Sequence, residues 1–141
     1  MRILIVDDSE EPLKALEELV IRLGHEVVGE ARDGLEALRA YRRLRPDVLV
    51  MDVIMPRMNG LEALAQIRRE FPEAVVILAS ALRSPDTVLE AEAAGAAFCL
   101  CKPFNEACLE NALGQIGGNQ SPVGGKLPAR PARVALRGNT A

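Results

Sequence analysis

Short hydrophobic runs recur along the chain, and segments rich in charged residues separate them. The runs begin 21 to 27 residues apart, and most of them are continuous rather than alternating. Continuous runs are typical of parallel strands that helices cover on both faces. The pattern therefore predicts five β-strands, at Ile3–Val6, Val27–Val28, Val48–Met51, Val75–Ala79 and Phe98–Cys101.

Between these runs, and after the last one, hydrophobic residues recur every three or four positions, as they do along the buried face of a helix. Four such stripes predict helices, at Leu13–Leu23, Leu35–Leu44, Leu61–Ile67 and Leu109–Ile116. A further helix around Thr87–Ala94 is Ala-rich and weakly patterned. Residues suited to helix ends flank these segments. They are Ser9, Asp33, Asn59 and Ser84 at the N-termini, and Gly24 and Gly95 at the C-termini.

The alternation of strand and helix predicts an α/β fold, a doubly wound five-stranded parallel sheet with five helices. In the common strand order 2-1-3-4-5, the first and third strands are neighbours. The pattern stops at Gly117, and a segment containing Gly, Pro and Arg follows it. We therefore expect one domain over residues 1–118 and a flexible tail or truncated linker over residues 119–141.

The net charge of −3 divides into two unlike regions. Residues 1–118 carry 13 basic and 20 acidic side chains, a net charge of −7, whereas residues 119–141 carry four basic side chains and no acidic one. An acidic domain argues against a DNA-binding surface, and an aromatic content of 3% argues against a base-stacking platform. We expect no nucleic-acid partner for this domain.

Two features of the chain bear on its compartment. No hydrophobic run approaches the roughly 18–20 residues that cross a bilayer, and Asp7 ends the N-terminal run too early for a signal peptide. The three cysteines, Cys99, Cys101 and Cys108, are odd in number and confined to one region, unlike a secreted disulfide framework. We interpret Cys99 and Cys101 as small apolar side chains of a buried strand, and we expect a cytoplasmic protein without a membrane contact.

Four of the five predicted strands end at residues that can do chemistry. Asp7 and Asp8 follow the first strand, Asp52 the third, Ser80 the fourth and Lys102 the fifth. Any one of these residues alone could be a helix cap or a solvated side chain. In doubly wound sheets, however, ligands bind beyond the carboxyl ends of the strands, close to the point where the strand order reverses. We therefore expect these side chains to form one site.

The residue types at this predicted site indicate phosphoryl transfer. Three crowded carboxylates repel each other, and an all-oxygen set without His or Cys favours Mg²⁺ over a transition metal. Lys102 supplies a positive charge to a carboxylate and to a phosphoryl oxygen, and Ser80 supplies a hydroxyl hydrogen bond. The set predicts a reaction in which a carboxylate is itself the nucleophile.

Several segments, in this order and spacing, resemble the receiver domains of two-component response regulators, the CheY-like superfamily. The segments are Ile3–Ser9, Leu49–Gly60, Val76–Ala81, Gly95–Ala96 and Lys102–Phe104. The resemblance covers residues 1–118 and implies a flavodoxin-like sheet in the order 2-1-3-4-5. It also implies that Asp52 accepts a phosphoryl group from a phosphohistidine of a sensor histidine kinase or a phosphotransfer protein.

The same resemblance implies the role of each residue around Asp52. Asp8 and Asp52 would bind Mg²⁺ directly, Asp7 mainly through water, and the backbone carbonyl of Ile54 would complete the ligand set. Ser80 and Lys102 would contact the phosphoryl group, and the bond between Lys102 and Pro103 is often cis in this family. Beyond its own phosphorylation and slow dephosphorylation, such a chain is not expected to be an enzyme.

Two apolar residues lie where they could hinder hydrolysis of the phosphorylated form. Ile54 lies two residues after Asp52, and Leu82 lies two residues after Ser80. We expect them to obstruct the attacking water and to give a longer-lived phosphorylated state than polar residues would.

One position departs from the family pattern. The family usually has Tyr or Phe three residues before the lysine, where this chain has Cys99, and Phe98 lies on the other face of the strand. The ring movement that reports phosphorylation is therefore not expected here in its usual form. A phosphorelay intermediate and a phosphorylation-independent docking module stay open as alternatives. A flavodoxin-like cofactor binder is disfavoured, because the first strand is followed by two aspartates rather than a phosphate loop.

The resemblance also implies how the signal would leave the domain. We expect contact with a downstream protein through the face formed by the fourth helix, the fifth strand and the fifth helix. A homodimer stays open as a further partner.

Overall fold

Five parallel strands form one sheet at the centre of the computed structural model, which describes residues 1–81 and 84–119. The strands are β1 (Arg2–Val6), β2 (Glu26–Ala31), β3 (Val48–Asp52), β4 (Val76–Ser80) and β5 (Phe98–Cys101). The helices are α1 (Glu10–Arg22), α2 (Gly34–Leu44), α3 (Gly60–Glu70), α4 (Pro85–Ala94) and α5 (Glu106–Asn119). All neighbouring strands are parallel, in the order β2-β1-β3-β4-β5. The predicted fold class and strand order are confirmed.

Helices cover both faces of the sheet, and each face has its own hydrophobic cluster. On one face, residues such as Leu4 and Leu49 pack with side chains of α2, α3 and α4. On the other face, residues such as Ile5 and Val50 pack with side chains of α1 and α5. Every residue of β3, β4 and β5 is buried. Burial on both faces is the reason why these strands are continuous hydrophobic runs in the sequence.

The strand β2 is longer than its hydrophobic signal. The sequence predicts only Val27–Val28, whereas β2 extends over Glu26–Ala31. It is an edge strand with β1 as its one neighbour in the sheet, and most of its residues are half-buried or exposed. An exposed edge tolerates the polar residues Glu26 and Glu30, so the apolar pattern is interrupted there. The remaining strand ends differ from the prediction by one residue at most.

Most of the predicted helix ends are confirmed. Asp33 accepts a hydrogen bond from the backbone of Glu36 (2.8 Å), and Asn59 forms a reciprocal capping box with Glu62. The remaining ends behave in the same way: Ser84 caps α4, and Gly24 and Gly95 take a positive φ after α1 and α4. The caps of α4 compensate for its weak hydrophobic stripe.

The prediction that the Ser9 side chain caps α1 is wrong. Ser9 is the N-cap residue of α1, but its side chain makes no capping hydrogen bond. Its backbone nitrogen instead donates to Oδ1 of Asp7 (3.0 Å). The carboxylate of Asp7 therefore accepts a hydrogen bond from the first loop as well as facing the neighbouring strand ends.

The C-terminal helix continues slightly past the point at which the sequence pattern stops. The helix α5 extends through Gly117 to Asn119. The rest of the predicted tail, from residue 120 to residue 141, and Leu82 lie outside the described residues. Within the described part of the chain, no helix combines the length and the apolar character that a membrane span requires.

The close approach of α3 to the end of β3 generates a stability prediction. A Cβ added at Gly60 would lie less than 3.0 Å from the backbone oxygen of Asp52. We therefore expect Gly60→Ala to lower the free energy of unfolding by about 1–3 kcal/mol, measured by urea denaturation. The matched control is Gly114→Ala in α5, where a Cβ meets nothing within 4 Å and should raise helix stability. Equal stability of the two variants would contradict the prediction.

Candidate functional site

The carboxyl ends of four strands bring the predicted site residues to one edge of the sheet. Asp7 and Asp8 directly follow β1, and Asp52 is the last residue of β3. Ser80 is the last residue of β4, and Lys102 directly follows β5. Because β1 and β3 are neighbours, the carboxylates lie at the point where the strand order reverses.

The three carboxylates form a compact acidic cluster. One carboxylate oxygen from each of Asp7, Asp8 and Asp52 lies within 4.8 Å of those of the other two. Asp7 and Asp52 are buried, with 5% and 7% of their surface exposed, whereas Asp8 is exposed. The cluster offers a hard cation oxygen ligands only and stays open on the side of Asp8. This donor set fits Mg²⁺, which binds few protein ligands and keeps positions for water or phosphoryl oxygens.

Lys102 links two of these carboxylates. Its Nζ donates a hydrogen bond to Oδ2 of Asp7 (2.8 Å) and lies 3.6 Å from Oδ1 of Asp52. Its backbone nitrogen donates to the backbone oxygen of Ser80 (2.7 Å), which joins the ends of β4 and β5. Burial lowers the pKa of Lys102, but the hydrogen bond to Asp7 and the charge of Asp52 outweigh it. The net pKa is raised, so the ammonium group is charged.

Asp52 is the carboxylate with the most perturbed protonation. The net pKa of Asp52 is raised to about 6: burial raises it most, the charge of Lys102 lowers it, and the charges of Asp7 and Asp8 raise it. At neutral pH the carboxylate is therefore mainly ionised, in surroundings that disfavour its charge. A cation in the acidic cluster would stabilise that charge.

Ser80 lies near Asp52 in the sheet, and Ile54 lies near it along the chain. Ser80 is 1% exposed and follows Ala79, the residue of β4 that pairs with Asp52. Ile54 lies in the loop between β3 and α3 and is 56% exposed. The structure thus places a buried hydroxyl residue at the end of the neighbouring strand and an exposed apolar residue two positions after Asp52.

The structure confirms that Cys99 and Phe98 face opposite sides of the sheet. Cys99 is buried in the cluster with α2, α3 and α4, whereas Phe98 is buried in the cluster with α1 and α5. Burial, with a smaller contribution from Cys101, raises the pKa of the Cys99 thiol to about 11. Cys99 is therefore a neutral, space-filling side chain, as expected. The peptide bond between Lys102 and Pro103 is cis, also as expected.

Sequence reasoning missed an ion pair beside the site. Nε of Arg57 donates to Oδ2 of Asp33 at 2.9 Å, and Nη2 of Arg57 contacts the same oxygen. The sequence indicates only a capping role for Asp33 and no role for Arg57. The two residues are 24 positions apart, and an arginine in a loop carries no periodic signal, so no sequence pattern could have revealed their contact.

The family model for the response regulator receiver domain matches residues 3–114. The chain belongs to this family. The chemotaxis protein CheY of Thermotoga maritima is 39% identical over 115 residues, which cover 82% of this chain and 96% of that protein. A solved CheX–CheY–BeF₃–Mg²⁺ complex from Borrelia burgdorferi has a TM-score of 0.80 at 29% identity, covering 83% of this chain and 89% of that one.

A further relative is larger than this chain. A protein-glutamate methylesterase/protein-glutamine glutaminase of Hahella chejuensis is 41% identical over 105 residues, which cover 73% of this chain and 30% of that protein. Some proteins that this chain resembles are therefore enzymes. Receiver domains themselves are signalling domains that accept a phosphoryl group. Receiver domains act in two-component signalling and work with histidine kinases and downstream effectors.

The burial of Asp52 and the charges around it generate a pH-dependent stability prediction. Because the folded-state pKa of Asp52 is about 6, above its ordinary value of 3.8, the folded protein loses stability as the pH rises through this interval. Asp52→Asn removes the charge. At pH 7.5 without divalent cations, we expect its free energy of unfolding to exceed that of the unsubstituted protein by about 1–2 kcal/mol. This is less than the rise in pKa from 3.8 to about 6 would give in full, because water that reaches the carboxylate screens its charge.

The measurement is urea denaturation from pH 4 to pH 8. The advantage of Asp52→Asn should shrink as the pH falls below 6, where Asp52 becomes protonated in the folded state. Glu18→Gln, which removes an exposed carboxylate of α1, is the control and should change little. An advantage that is absent, or that does not vary with pH, would sink this account of the site.

Proposed function

We propose that this chain is a receiver whose Asp52 accepts a phosphoryl group in a Mg²⁺-dependent reaction. The donor is a phosphohistidine of a sensor histidine kinase or a phosphotransfer protein. The observation that carries the proposal is the cluster itself, in which carboxylate oxygens of Asp7, Asp8 and Asp52 lie within 4.8 Å of each other. The nearby Nζ of Lys102 adds a positive charge where phosphoryl oxygens would lie.

A carboxylate oxygen of Asp52 attacks the phosphorus atom, and the bond from phosphorus to the donor's imidazole nitrogen breaks. The electron pair of that bond stays with the imidazole, which takes up a proton. Asp52 has to be ionised for this attack, which a pKa of about 6 allows at neutral pH. Lys102 and the hydroxyl of Ser80 orient the phosphoryl oxygens and stabilise their charge.

The proposed Mg²⁺ site uses Asp8 and Asp52 directly, Asp7 mainly through water, and the backbone carbonyl of Ile54. When bound, Mg²⁺ supplies positive charge that offsets both the crowded carboxylates and the incoming phosphoryl group. The burial of Asp7 and Asp52 supports this assignment, because buried carboxylates at this spacing disfavour each other's charge. The Mg²⁺ in the related CheX–CheY complex is consistent with it.

Signal output is proposed to run through the face formed by α4, β5 and α5. Leu89 of α4 is 61% exposed, and the helix carries three carboxylates and no basic residue. An apolar side chain within an acidic surface suits a downstream protein with a complementary basic rim. We also propose that the protein is cytoplasmic and that its receiver domain ends near residue 118. A second copy of the chain stays open as a partner, in a homodimer.

The buried Cys99 favours a second candidate function. The thiol occupies the position at which the family usually has an aromatic ring, so ring movement cannot report phosphorylation here. A phosphorelay intermediate, which passes the phosphoryl group to another histidine, needs no such report. A phosphorylation-independent docking module would not need it either, but would have no use for the acidic cluster.

Phosphorylation of Asp52 can be tested with acetyl phosphate, a small phosphoryl donor. In the presence of Mg²⁺, intact-mass spectrometry should show the addition of one phosphoryl group. The addition should be absent from Asp52→Asn and after removal of Mg²⁺ with EDTA. A protein that is never modified under any of these conditions would support the docking module instead.

The exposed Ile54 generates a prediction about the lifetime of the phosphorylated state. A polar side chain at this position should admit the water that hydrolyses phosphorylated Asp52. We expect Ile54→Asn to accelerate loss of the phosphoryl group several-fold, equivalent to about 1 kcal/mol off the barrier. The control is Ile21→Asn in α1, since Ile21 is 57% and Ile54 56% exposed. Decay followed by intact mass should be unchanged in the control, and equal decay of both variants would refute this role of Ile54.

A further inference from the structure

The loop between β3 and α3 is attached to the N-terminus of α2 by a buried carboxylate. Asp33 is 4% exposed and accepts hydrogen bonds through both oxygens. Its Oδ1 binds the backbone nitrogen of Glu36, which caps α2, and its Oδ2 binds the guanidinium of Arg57. The backbone amide of Glu36 and the charge of Arg57 hold the pKa of Asp33 below its usual value, so the pair is charged.

A backbone hydrogen bond attaches the same loop to the same helix end. The backbone nitrogen of Gly34, the first residue of α2, donates to the backbone oxygen of Met58 (2.9 Å). A Cβ at Gly34 would lie less than 3.0 Å from that oxygen, so the approach requires glycine. Arg57 itself has a φ of +64°, a conformation that residues with a Cβ rarely adopt. A non-glycine residue stays in this conformation only where its surroundings hold it there.

The base of the loop is closed as well. The backbone nitrogen of Gly60 donates to the backbone oxygen of Val53 (2.8 Å). The backbone nitrogen of Val53 in turn donates to the backbone oxygen of Ala79 in β4 (2.9 Å). Ile54 directly follows this closed base, and Arg57 and Met58 hold the far side of the loop. The backbone around Ile54 is therefore fixed at both ends before any cation binds.

We propose that Arg57 is a positioning residue for the metal site: by binding Asp33, it holds the loop that presents the carbonyl of Ile54. The inference rests on the proposed function, because it concerns the Mg²⁺ ligand assigned there. A loop that is already ordered loses less conformational freedom when the cation binds, so the affinity for Mg²⁺ is higher. Residues that orient metal ligands commonly change metal affinity by about 10-fold or more when replaced.

A second ion pair supplies a matched control. Nε of Arg42 in α2 donates to Oε1 of Glu70 in α3 at 2.9 Å, and Nη2 of Arg42 contacts Oε2. This pair also joins an exposed arginine to a carboxylate across two elements, at the C-terminal ends of α2 and α3. Neither residue of this pair lies in the loop between β3 and α3. Its loss should affect stability without affecting the cation site.

The test is a Mg²⁺ titration of the purified chain, followed by amide chemical shifts in NMR spectra. We expect Arg57→Met to raise the dissociation constant for Mg²⁺ about 10-fold and Arg57→Lys to restore part of the affinity. Arg42→Met should leave the dissociation constant unchanged. In the cation-free protein, the amide of Gly34 should exchange with solvent faster in Arg57→Met than in the unsubstituted protein, because its acceptor Met58 is no longer held.

Three outcomes of the Mg²⁺ titration would contradict the positioning role of Arg57. If the unsubstituted protein and Arg57→Met bind Mg²⁺ equally well, the positioning role is wrong while the proposed function stands. If Arg42→Met weakens Mg²⁺ binding as much as Arg57→Met does, the effect is general destabilisation and the positioning role is again wrong. If the unsubstituted protein binds no Mg²⁺, the proposed function fails and this inference fails with it.

Discussion

The crowding of carboxylates at the carboxyl edge of the sheet is the constraint on which the candidate site depends. Burial, together with the charges of Asp7 and Asp8, raises the pKa of Asp52 to about 6. Lys102 relieves this only in part, because its Nζ lies 2.8 Å from Asp7 and 3.6 Å from Asp52. The folded protein therefore retains unfavourable electrostatic energy at Asp52, and any event that adds positive charge there is favoured.

The sheet keeps these charges together in spite of their repulsion. The carboxylates end β1 and β3, which are adjacent, and hydrophobic clusters bury the strands on both faces. Moving the backbone of Asp52 away would shift the register of β3 and expose a buried run to water, which is unfavourable. At the end of β3, the closeness of Gly60 to the backbone of Asp52 fixes α3 as well. Packing thus holds the acidic cluster in place.

The sequence predicts the parts of this structure that depend on strong, local patterns. Strands buried on both faces, such as β3 and β4, appear as continuous runs, and the edge strand β2 is underestimated because its exposed side accepts polar residues. The sequence predicts that the candidate site residues lie together, because a general rule places ligands at strand ends. The hydrogen bond from Ser9 to Asp7 and the pair between Arg57 and Asp33 could not be found. Both depend on how loops fold back in three dimensions.

The thiol at Cys99 limits how a change at Asp52 can spread through the domain. A small side chain buried in a packed cluster has little room to move and cannot act as a large rotating ring would. Two direct connections leave the acidic cluster instead. Lys102 joins it to the ends of β4 and β5, and the loop held by Arg57 joins it to α2. Coupling between two binding equilibria is reciprocal. If a bound cation raises the affinity of the domain for a partner through either connection, the bound partner raises the affinity for the cation by the same factor.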